Sequence, residues 1–122
     1  MPVKSYKEFT VWQKAIELVN EVYKICKQFP AQEQYSLGSQ MTRSAISIPS
    51  NIAEGWARNH KSEFIRYLSI AYGSSCELET QLLISKKQYT KIDYLRSDQL
   101  LNEVQRMLTV LMKKLKEHEQ SW

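Results

Sequence analysis

Between residues 64 and 82 the side chains Phe64, Leu68, Ala71, Ser75, Leu78 and Leu82 are spaced four, three, four, three and four apart. This is a heptad seam, and it commits the segment to a helix that must lie against another helix. The helix is expected from about residue 60 to residue 87, with Asn59 as its N-cap. Its centre, "AYGSSCE", is built of small residues that would let a second helix come close. Gly73 costs roughly 1 kcal/mol relative to Ala inside a helix, so close packing is the expected compensation.

Three further segments keep helical time. In residues 6–29, Trp12, Ile16, Val19, Tyr23 and Cys26 form one apolar row, and Val11, Leu18, Val22, Ile25 and Phe29 form a second beside it. The arc is wider than a coiled-coil seam needs. One row suits a bundle core. The other suits either a second partner within the same bundle, which pattern alone favours slightly, or a neighbouring subunit. The start of this helix is open by a turn, because Ser5 with Glu8 and Thr10 with Gln13 both have capping-box spacing. Pro30 ends it by disfavouring helical geometry at the residue before. "PAQEQ" then opens the next helix, whose face is Leu37, Met41, Ala45, Ile48 and Ile52, with Gly55 near its end. Thr90 and Asp93 suggest the cap of the last helix, whose seam is Leu101, Val104, Leu108, Leu111 and Leu115.

Four helices of about 20 residues each span about 30 Å, and short connections favour antiparallel neighbours. The expected fold is therefore all-α, an up-and-down antiparallel four-helix bundle forming one domain over residues 1–122. A chain of 122 residues can bury a core without staples. Only three Gly and three Pro are present, which argues against long linkers and against a turn-rich β fold.

One proline sits inside the apolar rhythm. Pro49 lacks an N–H and crowds the carbonyl of Ala45, at a cost of about 3 kcal/mol in a helix interior. Either the helix breaks at Ile48, or it continues with a kink. The rhythm passes from Ala45 and Ile48 to Ile52 without a change of phase, which favours a Pro-kinked, continuous second helix.

The same helix carries a polar stripe, with Gln40, Arg43, Ser47, Asn51, Glu54 and Arg58 stepping by three or four. Active site, binding surface and packing network are the three readings. Catalysis is the weakest. Glu54 has no acidic neighbour at helical spacing, His60 and His118 lie near helix ends in no metal motif, and no serine sits in a nucleophile elbow. No Gly-rich phosphate loop occurs, and no cofactor is implied. A network is sensible, because Glu54 and Arg58 are four apart in the favourable order. Gln40, Asn51 and Arg43 can reach a facing helix where Glu77 and Glu79 are available. A packing role is preferred for Gln40, Ser47, Asn51 and Glu54, with an intersubunit role next.

Cys26 and Cys76 lie among apolar or small residues and form no CxxC, so zinc and redox chemistry are not expected. "MPVKSYKEF" has no apolar signal core, and no apolar run is long enough to span a membrane. A cytoplasmic location is expected.

The segments "VWQKA" (11–15), "SQMTRSAISIPSNIAEG" (39–55), "EFIRYLSIAYGS" (63–74) and "ELETQLLIS" (77–85) together resemble one family. It is the four-helix-bundle proteins encoded by intervening sequences of bacterial 23S ribosomal RNA. The motifs run in family order across most of the chain, and "SIPSNIAEG" is the most specific. The resemblance implies a homopentamer around a central channel, which would give the second apolar row of the first helix a use. A related branch comprises accessory proteins of diversity-generating retroelements, which bind a reverse transcriptase and its nucleic acid. The family carries no defined activity. Members often have two basic residues after "SQ", where this chain has Thr42 and Arg43, so one cation is missing.

The net charge of +4 and the pI of about 9.1 tilt toward an anionic partner. Arg58, Lys61 and Arg66 surround the corner between the second and third helices. Lys86, Lys87 and Lys91 surround the next corner, and Lys113, Lys114 and Lys116 close the last helix. An up-and-down bundle brings the first and third of these groups to one end. There they would give salt-dependent, sequence-blind contacts with phosphates. Trp56 and Tyr67 are the aromatic candidates near that end. Helix-end lysines also complement the helix dipole, and Glu117 and Glu119 dilute the last group. The expectation is a non-enzymatic oligomeric bundle that binds RNA or a ribonucleoprotein through Arg58, Lys61, Arg66, Lys113, Lys114 and Lys116. The alternative is a protein-interaction scaffold or reverse-transcriptase accessory subunit without RNA affinity of its own.

Overall fold

The computed structural model describes residues 3–117. A 3-10 turn, Tyr6–Glu8, precedes α1 (Thr10–Cys26), the single turn α2 (Ala31–Gln34), α3 (Leu37–Ala57), α4 (Lys61–Gln88) and α5 (Leu95–Glu117). The four long helices pack in the ring order α1, α3, α4, α5, each against the next in the chain, with α5 returning to α1. This is the all-α four-helix bundle expected from the periodicities.

Of the two start signals of the first segment, only Ser5 with Glu8 acts as a cap; Thr10 is the first residue of α1 and caps nothing. Ser5 Oγ accepts from the Lys7 N–H at 3.1 Å, and Glu8 Oε2 accepts from the Lys4 N–H at 3.2 Å, so this pair caps the 3-10 turn. Phe9 is extended, and α1 starts after it. Gln13 Nε2 reaches back to the Lys7 carbonyl at 2.9 Å. At the far end α1 stops at Cys26 rather than running to residue 29. The Gln34 amide donates to the carbonyls of Cys26 (2.7 Å) and Phe29 (3.1 Å), satisfying acceptors that the helix end leaves open. That side chain lies beyond the interruption of the helix. "PAQEQ" makes only one turn, Tyr35 and Ser36 leave helical geometry, and the long helix begins at Leu37.

α3 runs unbroken through Pro49, which is buried. Continuity is the outcome the uninterrupted rhythm pointed to. At its end Asn59 takes a left-handed conformation (φ 56°), and His60 is the extended residue that precedes α4. Asn59 therefore stops α3 instead of capping α4, because a residue turned left-handed just past the C-cap closes a helix. Asp93 does cap: its Oδ1 accepts from the Leu95 N–H at 2.9 Å.

Phe64, Leu68, Ala71, Ser75, Leu78 and Leu82 are all buried, as are Leu101, Val104, Leu108 and Leu115. Each large side chain so enclosed contributes roughly 1.5–3 kcal/mol. On α1 the row Val11, Leu18, Val22, Ile25 and Phe29 is buried in the same core. Trp12, Ile16 and Val19 of the other row are half-exposed. With Tyr6, Ile46, Pro49 and Ala53 they line a surface groove of about 280 Å³ between α1 and α3.

The expectation for Gly73 is overturned. It is exposed, and a Cβ built there would meet nothing within 4 Å. The close approach lies instead at Gly55, inside α3 rather than in the corner. A Cβ on Gly55 would stand 2.5 Å from Tyr67 Cβ and 3.2 Å from Phe64 Cδ1 of α4.

Candidate functional site

The polar stripe of α3 divides in two. Its lower half is bonded. Ser47 Oγ and Ser74 Oγ of α4 are 2.7 Å apart, and Asn51 Nδ2 donates to the carbonyl (2.7 Å) and Oγ (2.9 Å) of Ser47. Arg58 Nη2 donates to Glu54 Oε2 at 3.0 Å and to the Tyr67 hydroxyl at 2.7 Å. That hydroxyl in turn donates to Glu54 Oε2 at 3.3 Å. The expected Glu54–Arg58 pair is thus present, tied to α4 through Tyr67.

The upper half meets other neighbours than expected. Gln40 and Arg43 are exposed, and their side chains make no hydrogen bond or ion pair among the described residues. They share a groove with Ser44, Ser47, Glu77 and Gln81. Asn51 bonds within its own helix, because the Ser47 carbonyl lies one turn away. Glu79 faces α5, where it accepts from Gln105 Nε2 at 3.2 Å. The expected bridges from Gln40, Arg43 and Asn51 to Glu77 and Glu79 are therefore not formed.

At the corner after α3, the two arginines flank one ring. The guanidinium carbons of Arg58 and Arg66 lie 5.1 and 4.6 Å from the centroid of Tyr67, within cation–π range. Arg66 also pairs with Glu63, Nε to Oε2 at 3.2 Å. The Arg66 hydrogen bond holds the Glu63 carboxyl below its usual titration range. Tyr67 is only 8% exposed. Trp56 packs partly buried, edge-on to Tyr6 at 6.2 Å. Tyr67, buried and flanked by two guanidiniums, presents no open face for base stacking. Lys61 Nζ is buried without a hydrogen-bond partner among the described residues.

The helix order brings the C-terminal end of α5 to the same end of the bundle as this corner. Phe9, Thr10 and Val11 at the start of α1 share a groove of about 460 Å³ with Arg106, Met107, Val110, Leu111 and Lys114. Lys113, Lys114 and Lys116 are exposed and form no ion pair among the described residues. Lys86, at the opposite end, is held by Asp98 at 2.7 Å. The last three lysines are thus the cations of the proposed set that are both exposed and unpaired among the described residues, while Lys61 Nζ is buried and Arg58 and Arg66 already hold carboxylates. His118 and Glu119 lie outside the described residues.

Sequence reasoning missed two features. Gln81 is buried at 7% exposure, and its Oε1 has no partner among the described residues. The signal available was its place three residues after Leu78, on the seam side of α4. Tyr89 donates to Glu33 Oε1 at 2.7 Å, latching α2 to the end of α4 across 56 residues of chain. No local spacing could have shown that. Ser36 Oγ also donates to Glu33, and these two bonds hold its carboxyl below the ordinary range, that of Ser36 first. No group of three or more metal-ligating side chains forms among the described residues.

Comparison with known proteins agrees with the geometry. No curated protein matches the chain significantly. A crystal structure of a protein of unknown function from the S23 ribosomal protein family of Bacteroides thetaiotaomicron superposes with a TM-score of 0.68. It shares 24% identity, over 88% of this chain and 99% of that one, and at this identity the likeness is one of fold. The profile of the 23S rRNA-intervening sequence proteins matches residues 7–112, from the turn before α1 to the last turns of α5. The chain belongs to the 23S rRNA-intervening sequence protein family.

Proposed function

We propose that the protein is a cytoplasmic, non-catalytic, self-associating bundle that binds RNA, or a ribonucleoprotein, through the end formed by the tail of α5 and the α3–α4 corner. The observation that carries the reading is the set Lys113, Lys114 and Lys116, exposed and without ion pairs among the described residues. Cations not already held by carboxylates can release the counterions of a phosphate backbone. Arg58 and Arg66 flank the site and orient its rim, while their own charges are partly met by Glu54 and Glu63. Self-association is supported by the half-exposed row Trp12, Ile16 and Val19 on the α1–α3 groove. A ring of copies, as in the pentamer that the family resemblance implies, would multiply the charge at this end.

The test is charge reversal of Lys113, Lys114 and Lys116 together to Glu. RNA affinity should fall, and the salt slope of binding should shrink by about one for each lost phosphate contact. Sedimentation should show the assembly unchanged. Undiminished RNA affinity in this variant removes the site.

A second reading, a protein-interaction module such as a scaffold or reverse-transcriptase partner, is favoured by the same apolar groove. A neighbouring gene for a reverse transcriptase would support it. A gene inside a ribosomal RNA operon would support the first reading.

A further inference from the structure

Where α5 runs past the start of α1, the seam between the two helices opens into a trough of about 460 Å³. Phe9 and Val11 wall it on one side, and Met107, Val110 and Leu111 on the other. Val110 is 46% exposed there, an apolar side chain left to water. Further down the same seam the flanking charges are matched across it, Glu103 by Lys14 at 3.4 Å and Arg96 by Glu17 at 2.8 Å. At the trough that matching stops. Arg106 and Lys114 stand one turn to either side of Val110, both exposed, and neither forms an ion pair with any described residue. Lys113 and Lys116 continue the unpaired charge toward the end of α5. The cationic end therefore has an apolar floor, and a phosphate gains nothing from one.

Resting on the phosphate-binding reading of this end, we infer that the trough receives unpaired bases and that the RNA bound here is single-stranded. Arg106 and Lys114 lie about 12 Å apart along the helix axis. A strand laid along α5 can set phosphates on both cations and turn the bases between them onto Met107, Val110 and Leu111. Bases splayed from a single strand are taken by aromatic side chains and guanidinium planes, and the trough supplies Phe9 and Arg106. A duplex keeps its bases stacked inside. It would press its charged backbone onto the apolar floor, where a desolvated phosphate is costly. The denser charge of a duplex favours it wherever lysines act alone, so a preference for the single strand reports the floor and not the charge.

The test is fluorescence anisotropy of the full-length protein with three labelled probes: a short oligouridylate, the same ribose-phosphate backbone without bases, and a fully paired RNA duplex of the same length. The oligouridylate should bind roughly tenfold tighter than the abasic backbone, or better, and tighter than the duplex. Val110→Gln puts an amide in the trough, and Arg106→Lys keeps the charge while losing the plane. Each should weaken oligouridylate binding roughly threefold or more, with the salt slope and the affinity for the abasic backbone unchanged. Both side chains are exposed, so neither variant should move the thermal midpoint. Equal affinity for the oligouridylate and the abasic backbone overturns the inference and leaves the phosphate reading in place. So does oligouridylate binding that neither variant weakens, which would give the trough to a protein segment. Failure of all three probes to bind at low salt overturns the inference and the phosphate reading together.

Discussion

Replacing Gly55 with Ala should destabilise the protein, and replacing Gly73 with Ala should stabilise it. Both glycines lie inside long helices, where Ala gains about 1 kcal/mol from propensity. At Gly73 nothing opposes that gain, since the new methyl meets open space. At Gly55 the methyl would stand 2.5 Å from Tyr67 Cβ, whereas carbon atoms rest at about 3.5–4.0 Å. The clashing atom is attached directly to the α4 backbone and cannot rotate away, so the helices must part locally by about 1 Å. Overpacking of this kind costs about 1–3 kcal/mol, and a rigid contact belongs at the top of that range. Set against the propensity gain, the net loss is about 2 kcal/mol, or a Tm about 8 °C lower for a chain of this size. Urea unfolding at one fixed protein concentration would measure both variants, with an unchanged m-value showing that only stability moved. A neutral or stabilised Gly55→Ala, or a destabilised Gly73→Ala, would refute the packing argument.

Burial pushes the Cys26 thiol up from 9.0 to about 11. Between those values the unfolded chain releases its proton first, so this contribution to stability is full below pH 9 and lost as pH rises toward 11. In the folded protein at pH near 8, a thiol reagent should label the partly exposed Cys76 well before the buried Cys26; equal rates would contradict this. Glu33 titrates low because Ser36 and Tyr89 donate to its charged form. Its contribution to stability is therefore present above its unfolded pKa and lost as pH falls through the folded one. Tyr89→Phe should raise the Glu33 pKa in an NMR titration, and an unmoved titration would show the latch to be idle.

The bundle was legible because its cores are periodic. The seam of α4, the Val11–Phe29 row of α1 and, except for the partly buried Leu111, the seam of α5 are buried where their spacing put them. The continuity of α3 through Pro49 followed from the unbroken phase of Ala45, Ile48 and Ile52. Elsewhere the deciding contacts join residues far apart in the chain. Gly55 and Gly73 look alike in sequence, and only the position of Tyr67 across the α3–α4 interface separates them. Asn59 suits a cap by composition, but its left-handed backbone made it the stop of the helix before. Of the polar stripe, the Glu54–Arg58 pair could be read from its four-residue step. The Ser47–Ser74 contact and the unmet Gln81 carbonyl depend on the register between two helices, which no single helix encodes. Charge clustering located the lysines of α5, but whether a cation is already held by a carboxylate is a matter of distance. Arg58, Arg66 and Lys86 prove held, and Lys113, Lys114 and Lys116 do not.

The central functional claim is phosphate contact at the cationic end, and one measurement reaches it directly. Fluorescence anisotropy of labelled RNA with the purified protein, repeated across a salt series, gives the dependence of log K on log salt. Binding should be tight at low salt, and log K should fall linearly and steeply, by about 0.7 for each phosphate neutralised on a single strand. No binding at low salt, or an affinity indifferent to salt, would contradict it.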